Sequence, residues 1–514
     1  MIARYLNHFA KSLNAVQITW LLTLLGGLIT AVIIWVHHGW INDDSVLYFE
    51  VAKSFSAGEW QAGLKLYNWP FYSLLISITH DLTKLDIQTS AQLLNILFFS
   101  ITTCSFLSLI RMAGGDKFTI LSGALLLFSS TYIVGDILPM LLRDQGFWAF
   151  FLAAILCFIK YLKTEKLRHA VLWQIFMLTA MLFRIEAITF LLLLPMVLFL
   201  AKRKNAWKMF LSAQSINLLS LAIILVILML HPSMQLSDFG RIHEAVNIFH
   251  HNYIQITEVL SQKSELMGKH VLGSFLDEYS LMGVIMTLGC IIVIKAASTP
   301  GWIISILAAY TWRNPLIKID KEAQHVMLWI LALAIINSTM ILLSTFVLSA
   351  RYLISFAFII MIFASFQLAY LIKSRQLQSK LKYGLVIVLL MVLVIGFINN
   401  LLPKSKASNY EKEAVTWLLH ENVNHLPVFY VSPRARFFAG EPFKGRGYDY
   451  WEYTNTAIQN KSIEQYEYLL INLDKKYLDR DILLQQALGN YKLIKEFYGI
   501  KNKNKIMIFQ KNHD

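Results

Sequence analysis

Charged residues are scarce in this chain of 514 residues. They make up 15% of the sequence, against about a quarter in a soluble globular protein, and hydrophobic residues make up 56%. Because so few charged residues are available to solvate the surface of a protein this large, we expect an integral membrane protein. Carboxylates are the rarer charge, and the formal net charge is +14. Since the basic residues stand beside apolar segments and form no long stripe with interleaved aromatics, the charge argues against nucleic-acid binding.

Cysteine is also rare, and several catalytic signatures are missing. Cys104, Cys157 and Cys290 all lie in apolar segments, so the sequence predicts packing residues and no disulfide framework. A glycine-rich phosphate loop, a His-Glu-x-x-His motif and a Gly-x-Ser-x-Gly elbow are all absent from the sequence. The pairs His37-His38 and His250-His251 have no further ligand at metal spacing, so we assign them no metal site.

Long apolar segments are what the chain has in abundance. One crossing needs about 20 residues, and on that scale we expect roughly eleven crossings. The predicted segments are residues 17–36, 92–111, 118–138, 146–163, 170–183, 186–201, 208–230, 280–298, 325–348, 352–372 and 383–402. The run Leu172–Ala201 is too long for one span and too short for two full ones, so it predicts a helical hairpin with Arg184 and Glu186 at its outer tip. Residues 302–312 are interpreted as an interfacial helix on the cytoplasmic side.

Basic residues mark every second connection between these segments. The marked connections hold Arg4 and Lys11; Arg111 and Lys117; Lys160 to Arg168; Lys202 to Lys208; Arg313 to Lys321; and Lys373 to Lys382. Basic loops stay in the cytoplasm, so the pattern predicts a cytoplasmic N-terminus and a C-terminal tail on the outer side. We therefore predict a transmembrane module over residues 1–403 and a second domain over residues 404–514.

Three outer segments are long enough to carry structure: the first loop (37–90), the loop at 231–278, and the tail. In the first loop, Asp44–Ala57 and Tyr67–Leu82 have the apolar stripe of juxtamembrane amphipathic helices. The tail alternates β-rich runs with polar helical stretches, which predicts a small α/β domain. Its predicted strands lie at Pro427–Val431, Tyr468–Asn472 and Lys505–Phe509.

Charged residues border the predicted spans at four places, all on the outer face under this topology. They are Asp43 and Asp44, Arg143 and Asp144, Arg184 and Glu186, and Arg351 with Tyr352. Ionisable groups at membrane depth are costly unless they serve a site, so we expect one polar cavity in which carboxylates handle protons and arginines bind an anion. Simpler interpretations stay open: Asp44 as a helix N-cap, and Arg143 with Asp144 as an interfacial anchor.

The order of several short motifs resembles that of GT-C glycosyltransferases. Asn42–Ala52, followed by Gly58 and Tyr67–Leu75, is similar to their first outer loop. The resemblance is to the bacterial branch of protein O-mannosyltransferases and the lipid A aminoarabinose transferase. Further similar segments are Leu142–Phe147, Phe183–Ala187, Ser349–Leu353, Ala414–Leu418 and Arg436–Gly440. This chain has Asp-Asp where the best-known branches have Asp-Glu. The substrates of those branches are therefore not assigned to this chain.

The resemblance implies an inverting glycosyltransferase. Such an enzyme moves a sugar from a polyprenyl-phosphate carrier, expected here to be undecaprenyl phosphate, to a cell-envelope acceptor at the periplasmic face of the inner membrane. On this basis Asp44 is the expected general base, with Asp43 as its competitor, and Asp144 is a second acidic residue near the acceptor. Arg351 is expected to bind the lipid phosphate with Arg184 as partner, Glu186 orients Arg184, and Tyr48, Arg143 and Tyr352 line the site. Some relatives use a divalent metal and others do not, so metal dependence stays open.

Two other functions also fit the pattern. A glycan ligase or polymerase at the outer face would use basic residues in a late loop, for which Arg241, His243 and His270 are candidates. A transporter or flippase of lipid-linked sugars would explain many spans and buried charge, although no internal repeat is visible. Lipid A, a lipid-linked glycan and a protein all remain open as acceptors.

Overall fold

The computed structural model describes residues 14–37, 41–230, 252–374, 380–402, 409–443, 445, 449–474, 480–499 and 504–513. The chain divides into two compact units. Unit 1 comprises Met1–Ala31, Asn95–Leu138 and Arg143–Asn400. Unit 2 comprises Val32–Leu94, Pro139–Leu142 and Leu401–Asp514. The candidates Arg241, His243, His250 and His251 lie outside the described residues.

Helices dominate the described chain. The helices up to the second large loop are α1 (Ala15–Val36), α2 (Asp43–Ser56), α3 (Trp60–Leu66), α4 (Phe71–Thr83), α5 (Ile87–Met112), α6 (Lys117–Ser129), α7 (Asp144–Thr164), α8 (Leu167–Phe183), α9 (Ala187–Leu200), α10 (Ala206–Ala213) and α11 (Ser215–Leu230). Those that follow are α12 (Asn252–Met267), α13 (Ser280–Ser298), α14 (Trp302–Arg313), α15 (Lys321–Thr345), α16 (Ile354–Ser374), α17 (Lys380–Leu401), α18 (Tyr410–Glu421), α19 (Pro433–Ala439), α20 (Tyr450–Gln459) and α21 (Asp481–Ala487). The strands are β1 (Val428–Tyr430), β2 (Tyr468–Asp474), β3 (Tyr491–Tyr498) and β4 (Asn504–Lys511).

The apolar helices match the predicted spans. Among the described residues, seven helices are long and apolar enough to cross a membrane, and two bent pairs raise the number to nine. Two shorter apolar helices, α8 and α9, form the predicted hairpin and place Arg184 and Glu186 at its tip. All eleven predicted segments are therefore helical, and the prediction of a polytopic α-helical membrane protein is confirmed.

Helix α14 covers the segment predicted as an interfacial helix on the cytoplasmic side, residues 302–312. It packs along α16, and its position relative to the membrane stays a prediction. The Thr311 hydroxyl donates to the Phe363 carbonyl at 2.8 Å, and Trp312 meets the Phe363 ring edge-on at 5.4 Å between centroids. Ile304, Leu307 and Ala308 are buried on the same face. The basic-loop rule missed this because it counts crossings and carries no information about how a short helix packs.

In unit 2, the first outer loop folds into three helices, α2 to α4. Asn42 caps α2: its side-chain oxygen accepts from the Asp44 amide at 2.9 Å, and the Ser45 hydroxyl accepts from the Asn42 amide at 3.3 Å. This reciprocal capping fixes where the helix begins. The two predicted amphipathic helices thus exist, with bounds shifted by a few residues.

The C-terminal segment of unit 2 forms a four-stranded sheet in the order β1-β2-β4-β3. β1 and β2 are parallel, whereas β4 runs antiparallel to both β2 and β3. Alternate side chains pack on opposite faces: Leu469 and Phe509 face one core, and Leu470 and Ile508 face the other. Helix α18 covers the second core. The predicted small α/β fold is confirmed, and β3 is a strand that the sequence pattern missed.

Candidate functional site

An irregular segment positions the first carboxylate of interest. Helix α6 gives way at Ser130 to a π-helical turn, Thr131–Ile137, bent by 43°. The Asn95 amide donates to the Leu138 carbonyl at 2.8 Å, and the Gln145 amide donates to the Ile137 carbonyl at 3.0 Å. These two backbone carbonyls would be hydrogen-bonded within a regular helix, and here side chains supply the donors. The chain can therefore turn before α7 begins at Asp144.

Asp144 is fully buried and binds two arginines. One of its oxygens accepts from Nη1 of Arg184. Arg351 donates from Nε to Oδ1 at 3.1 Å and from Nη2 to Oδ2 at 2.6 Å, a bidentate pair across 207 residues of sequence. Bidentate guanidinium–carboxylate pairs fix orientation as well as charge. Asp144 therefore holds both arginines in defined positions.

Arg184 is enclosed by further partners. It donates from Nη2 to Glu186 Oε1 at 3.0 Å and from Nε to Oε2 at 3.4 Å. Its guanidinium carbon lies 5.1 Å from the ring centroid of Tyr352. The Arg184 side chain is only 4% exposed, whereas that of Arg351 is 26% exposed. Of the two arginines, Arg351 is therefore the one that a ligand can reach.

We define the Asp144 cluster as Arg143, Asp144, Arg184, Glu186, Arg351 and Tyr352. Arg143 precedes α7 and interacts electrostatically with both Asp144 and Glu186. Three guanidinium groups face two carboxylates, so the cluster carries one formal positive charge in excess. A buried positive excess favours an anionic ligand.

A cavity of about 650 Å³ adjoins this cluster within unit 1. It is lined by Ser129–Tyr132, Asp136, Lys295, Ser298–Ile304, Ala350, Val392, Leu393 and Gly396. Ala350 is the neighbour of Arg351, and Tyr132 interacts electrostatically with Asp144, Arg184 and Arg351. The Tyr132 hydroxyl is buried with no hydrogen-bond partner among the described residues. A volume of this size suits a small ligand, and an unsatisfied hydroxyl in its wall is a ready donor for one.

The adjacent aspartates of the first outer loop lie in unit 2. Asp43 and Asp44 are the first two residues of α2, where the positive end of the helix dipole favours carboxylates. Because Asn42 is the cap, the simpler interpretation of Asp44 as N-cap is wrong. Tyr48, which we expected to line a site, is buried between Tyr67 and Tyr72, with ring centroids 5.7 and 5.4 Å away.

Asp43 is bound by two residues of the C-terminal segment. Its Oδ2 accepts from the Tyr450 hydroxyl at 2.6 Å, and its Oδ1 lies 2.9 Å from Nε of Arg434. Burial and the Asp43 charge raise the pKa of the Tyr450 phenol, so the phenol stays protonated and remains a donor. Glu411 and Asp43 raise the pKa of Arg434 against the opposing effect of burial.

The structure brings three of the four predicted charged places together. Arg143 with Asp144, Arg184 with Glu186, and Arg351 with Tyr352 form one cluster in unit 1, whereas Asp43 and Asp44 lie in unit 2. The expected convergence of all four, and the catalytic roles, stay predictions.

Sequence reasoning missed several residues around these groups. Tyr132 and Asp136 fall within a predicted span, where an aspartate in an apolar segment was a usable signal. Arg434, Glu411 and Tyr450 gave no such signal, because their roles depend on tertiary contacts. Among the described residues, no group of three or more His, Cys, Asp or Glu side chains could hold a metal ion.

These features define a class of fold. The polytopic helical body, the amphipathic helices after the first span and the small C-terminal sheet make up the kind of membrane fold that the resemblance in the sequence predicts. No family model matches the chain, and no curated protein sequence matches it significantly.

A solved structure gives the comparison. The crystal structure of ArnT from Cupriavidus metallidurans bound to undecaprenyl phosphate matches with a TM-score of 0.52. The match covers 95% of this chain and 97% of ArnT, at 11% sequence identity. The chain therefore shares the ArnT fold over nearly its whole length.

Proposed function

We propose that this protein is an inverting glycosyltransferase of the bacterial inner membrane. It takes a sugar from a polyprenyl-phosphate donor, undecaprenyl phosphate being the carrier we favour, and places it on a cell-envelope acceptor at the periplasmic face. The observation that carries the proposal is the Asp144 cluster, with its positive excess and its reachable Arg351, beside a 650 Å³ cavity in an ArnT-like fold.

In the proposed reaction, the acceptor hydroxyl oxygen attacks the anomeric carbon from the face opposite the phosphate. The carbon–oxygen bond to the lipid phosphate breaks, and the phosphate leaves with the bonding electrons. A carboxylate takes the hydroxyl proton as the new bond forms. Attack from the opposite face inverts the anomeric centre.

Each charged residue has a role in this scheme. We propose Asp44 as the base, with Asp43 as its competitor, since a carboxylate pair at the start of α2 is the feature that the first outer loop shares with the resembled family. Arg351 would bind the leaving phosphate, because it is the accessible arginine. Asp144 would orient Arg351 and Arg184, since both its oxygens accept from guanidinium groups. Such fixed charges stabilise a leaving anion without having to reorganise.

The experiment is transfer in vitro by the purified full-length chain from a radiolabelled polyprenyl-phosphate sugar. Asp44→Asn removes the proposed base and Arg351→Ala the proposed phosphate ligand. We expect Asp44→Asn to lower kcat by about 100-fold or more, the usual contribution of general base catalysis. Arg351→Ala should lower both carrier affinity and kcat.

Two matched variants control for the loss of charge. Asp81→Asn removes an exposed carboxylate of α4, and Arg168→Ala removes an exposed arginine of α8. Both should transfer like wild type. Transfer by Asp44→Asn and Asp43→Asn at the wild-type rate would refute the catalytic assignment. Movement of the labelled lipid across proteoliposomes without transfer would support a flippase instead, and glycan polymerisation from a lipid-diphosphate donor would support the ligase or polymerase.

A further inference from the structure

A cluster in unit 2 joins the first outer loop to the C-terminal segment. The hydrogen bond from Tyr450 to Asp43 spans 407 residues of sequence. Arg434 forms an ion pair with Asp43, with 2.9 Å between Nε and Oδ1, and it donates a hydrogen bond from Nη2 to Glu411 Oε1 at 2.9 Å. One cation thus bridges a carboxylate at the start of α2 and a carboxylate at the start of α18.

The C-terminal side of this cluster is rigidly built. Glu411 is buried, and it accepts from the Asn472 amide at 2.8 Å and from the Ser432 hydroxyl at 3.2 Å. Asn472 lies on β2, and the Ser432 hydroxyl also caps α19 by accepting from the Ala435 amide at 3.0 Å. Glu411 is therefore fixed by a strand residue and by the residue that caps α19, and Glu411 in turn holds Arg434. A side chain supported in this way can impose a position on its partner.

Helices α2 and α19 also meet about one turn beyond Arg434. Phe437, three residues after Arg434, contacts the ring of Phe49 with 5.6 Å between centroids. Lys53 lies 5.1 Å from the Phe437 ring centroid. Residues spaced by three or four on one helix share a face, so Arg434 and Phe437 lie on the same face of α19. Through this face α19 contacts α2 at the first turn of α2 and again further along α2. This double contact restrains both the position of α2 and its rotation about its own axis.

We propose that Arg434 and Tyr450 are positioning residues, which hold Asp43 and thereby orient the neighbouring Asp44 towards the acceptor. The inference rests on the proposed function. It divides the aspartate pair into two roles: Asp43 anchors the first turn of α2 to the C-terminal segment, and Asp44 is the base. The α/β domain is then part of the machinery of transfer, although none of its residues contacts the reacting atoms.

The first test is a double-mutant cycle on transfer, with Asp43→Asn, Tyr450→Phe and the double variant. A misplaced base lowers kcat, and small displacements cost up to about 100-fold. We expect each single variant to lower kcat about 10-fold, with KM for the donor within twofold of wild type. The double variant should be no slower than the slower single variant. Tyr453→Phe, which removes a hydroxyl from the same helix α20, should behave like wild type.

The pH profile separates a base from an anchor. Asp43→Asn and Tyr450→Phe should keep the acid limb of the kcat profile, whereas Asp44→Asn should lose it. Arg434→Lys should retain more activity than Arg434→Met, since it restores the charge. If Asp43→Asn loses the acid limb and falls as far as Asp44→Asn, Asp43 is the base and the proposal is overturned.

Hydrogen exchange tests the anchor without any substrate. In the full-length protein, the first-turn amides of α2 should exchange faster in Tyr450→Phe and Arg434→Met than in Tyr453→Phe. Unchanged exchange in both variants would overturn the proposal whatever the activity. If wild type transfers no sugar from any donor, the proposed function fails, and the exchange data still decide whether the anchor exists.

Discussion

At the scale of single residues, Asp144 decides how its cluster is built. Its carboxylate is the shared partner of two arginines that come from different helical connections. The sequence predicted the local pair of Arg184 and Glu186, because both lie at the tip of one hairpin. It did not predict the pair of Asp144 and Arg351, since a contact across 207 residues depends on how the helices pack.

Asp144→Asn should destabilise the protein in detergent. The substitution leaves two guanidinium groups facing each other with one carboxylate fewer, and breaking a buried ion pair costs about 3–5 kcal/mol. Thermal unfolding of the purified variant should report this as a clearly lower Tm. Asp81→Asn, on the exposed face of α4, should unfold with the wild type. Equal Tm values for the two variants would contradict a structural role for Asp144.

Tyr132→Phe should have the opposite effect on the ligand-free protein. Its hydroxyl is buried without a partner among the described residues, and such a group costs about 1–3 kcal/mol. We expect an unchanged or higher Tm without ligand. The rise in Tm on adding polyprenyl phosphate should be smaller than in wild type, if the hydroxyl donates to the bound ligand.

Tyr310→Phe is the matched control, because Tyr310 is exposed on α14. It should leave both the ligand-free Tm and the ligand-induced rise unchanged. A full ligand-induced rise in Tyr132→Phe would remove Tyr132 from the proposed site.

At the scale of elements, apolar length predicted the helices and hydrophobic alternation predicted three of the four strands. β3 was missed because its sequence, Tyr491–Tyr498, carries charges at Lys492, Lys495 and Glu496. Its register with β4 also slips between Leu493 and Lys495, so no strict alternation is preserved. The packing of α14 on α16 was missed for a related reason: tertiary contacts decide it.

The approach of α7 to α8 depends on Gly146. A methyl group at this position would overlap the ring of Phe183, the last residue of α8. Because Arg184 follows Phe183 directly, Gly146→Ala should push Arg184 away from Asp144. We expect a lower Tm and a lower kcat. The control is Gly289→Ala on α13, where a methyl group meets nothing within 4 Å. Equal behaviour of the two variants would refute this explanation.

Buried tyrosines make the C-terminal sheet sensitive to high pH. Burial, and then Glu441, raises the pKa of Tyr430 to about 12, and the pKa of Tyr450 is raised by burial and Asp43. An unfolded tyrosine ionises near pH 10, so above that pH the unfolded state loses protons that the folded state keeps. This contribution to stability is complete below about pH 10 and is lost as the pH rises through the folded pKa.

The measurement is hydrogen exchange of the β1 and β2 amides in the full-length protein between pH 9 and 11, after correction for the intrinsic rate. Protection should fall with rising pH in wild type. It should fall less steeply in Tyr430→Phe, which cannot ionise at this position. A pH-independent protection factor would contradict the prediction.

At the scale of the whole molecule, the membrane topology stays a prediction from the basic loops. Cys290 is exposed and Cys157 is buried, so a Cys290→Ser background is needed for labelling. In that background Gln459→Cys should react with a membrane-impermeant maleimide from the periplasmic side. Thr164→Cys, in a predicted cytoplasmic loop, should react only after the membrane is opened. The reverse pattern would invert the orientation and place the proposed site on the wrong face.

The fold itself was predictable to a large extent, because membrane crossings and amphipathic helices can be recognised from the local pattern of hydrophobic residues. Charges that border the spans were equally visible, and three of the four places do meet. The sequence did not predict the binding partners, namely which arginine binds Asp144 and which residues bind Asp43. Those depend on contacts between segments hundreds of residues apart, for which a single sequence carries no local signal.

The distance in sequence between Asp43 and Tyr450 also has a consequence for biosynthesis. Ribosomes add about 5–20 residues per second, so the 407 residues between the two partners take roughly 20 to 80 s to emerge. Under the predicted topology, the first outer loop lies outside the membrane during that interval but lacks its anchor. A nascent or truncated chain would therefore carry the proposed base in an unrestrained helix, and full activity would begin only when translation has reached the C-terminal domain.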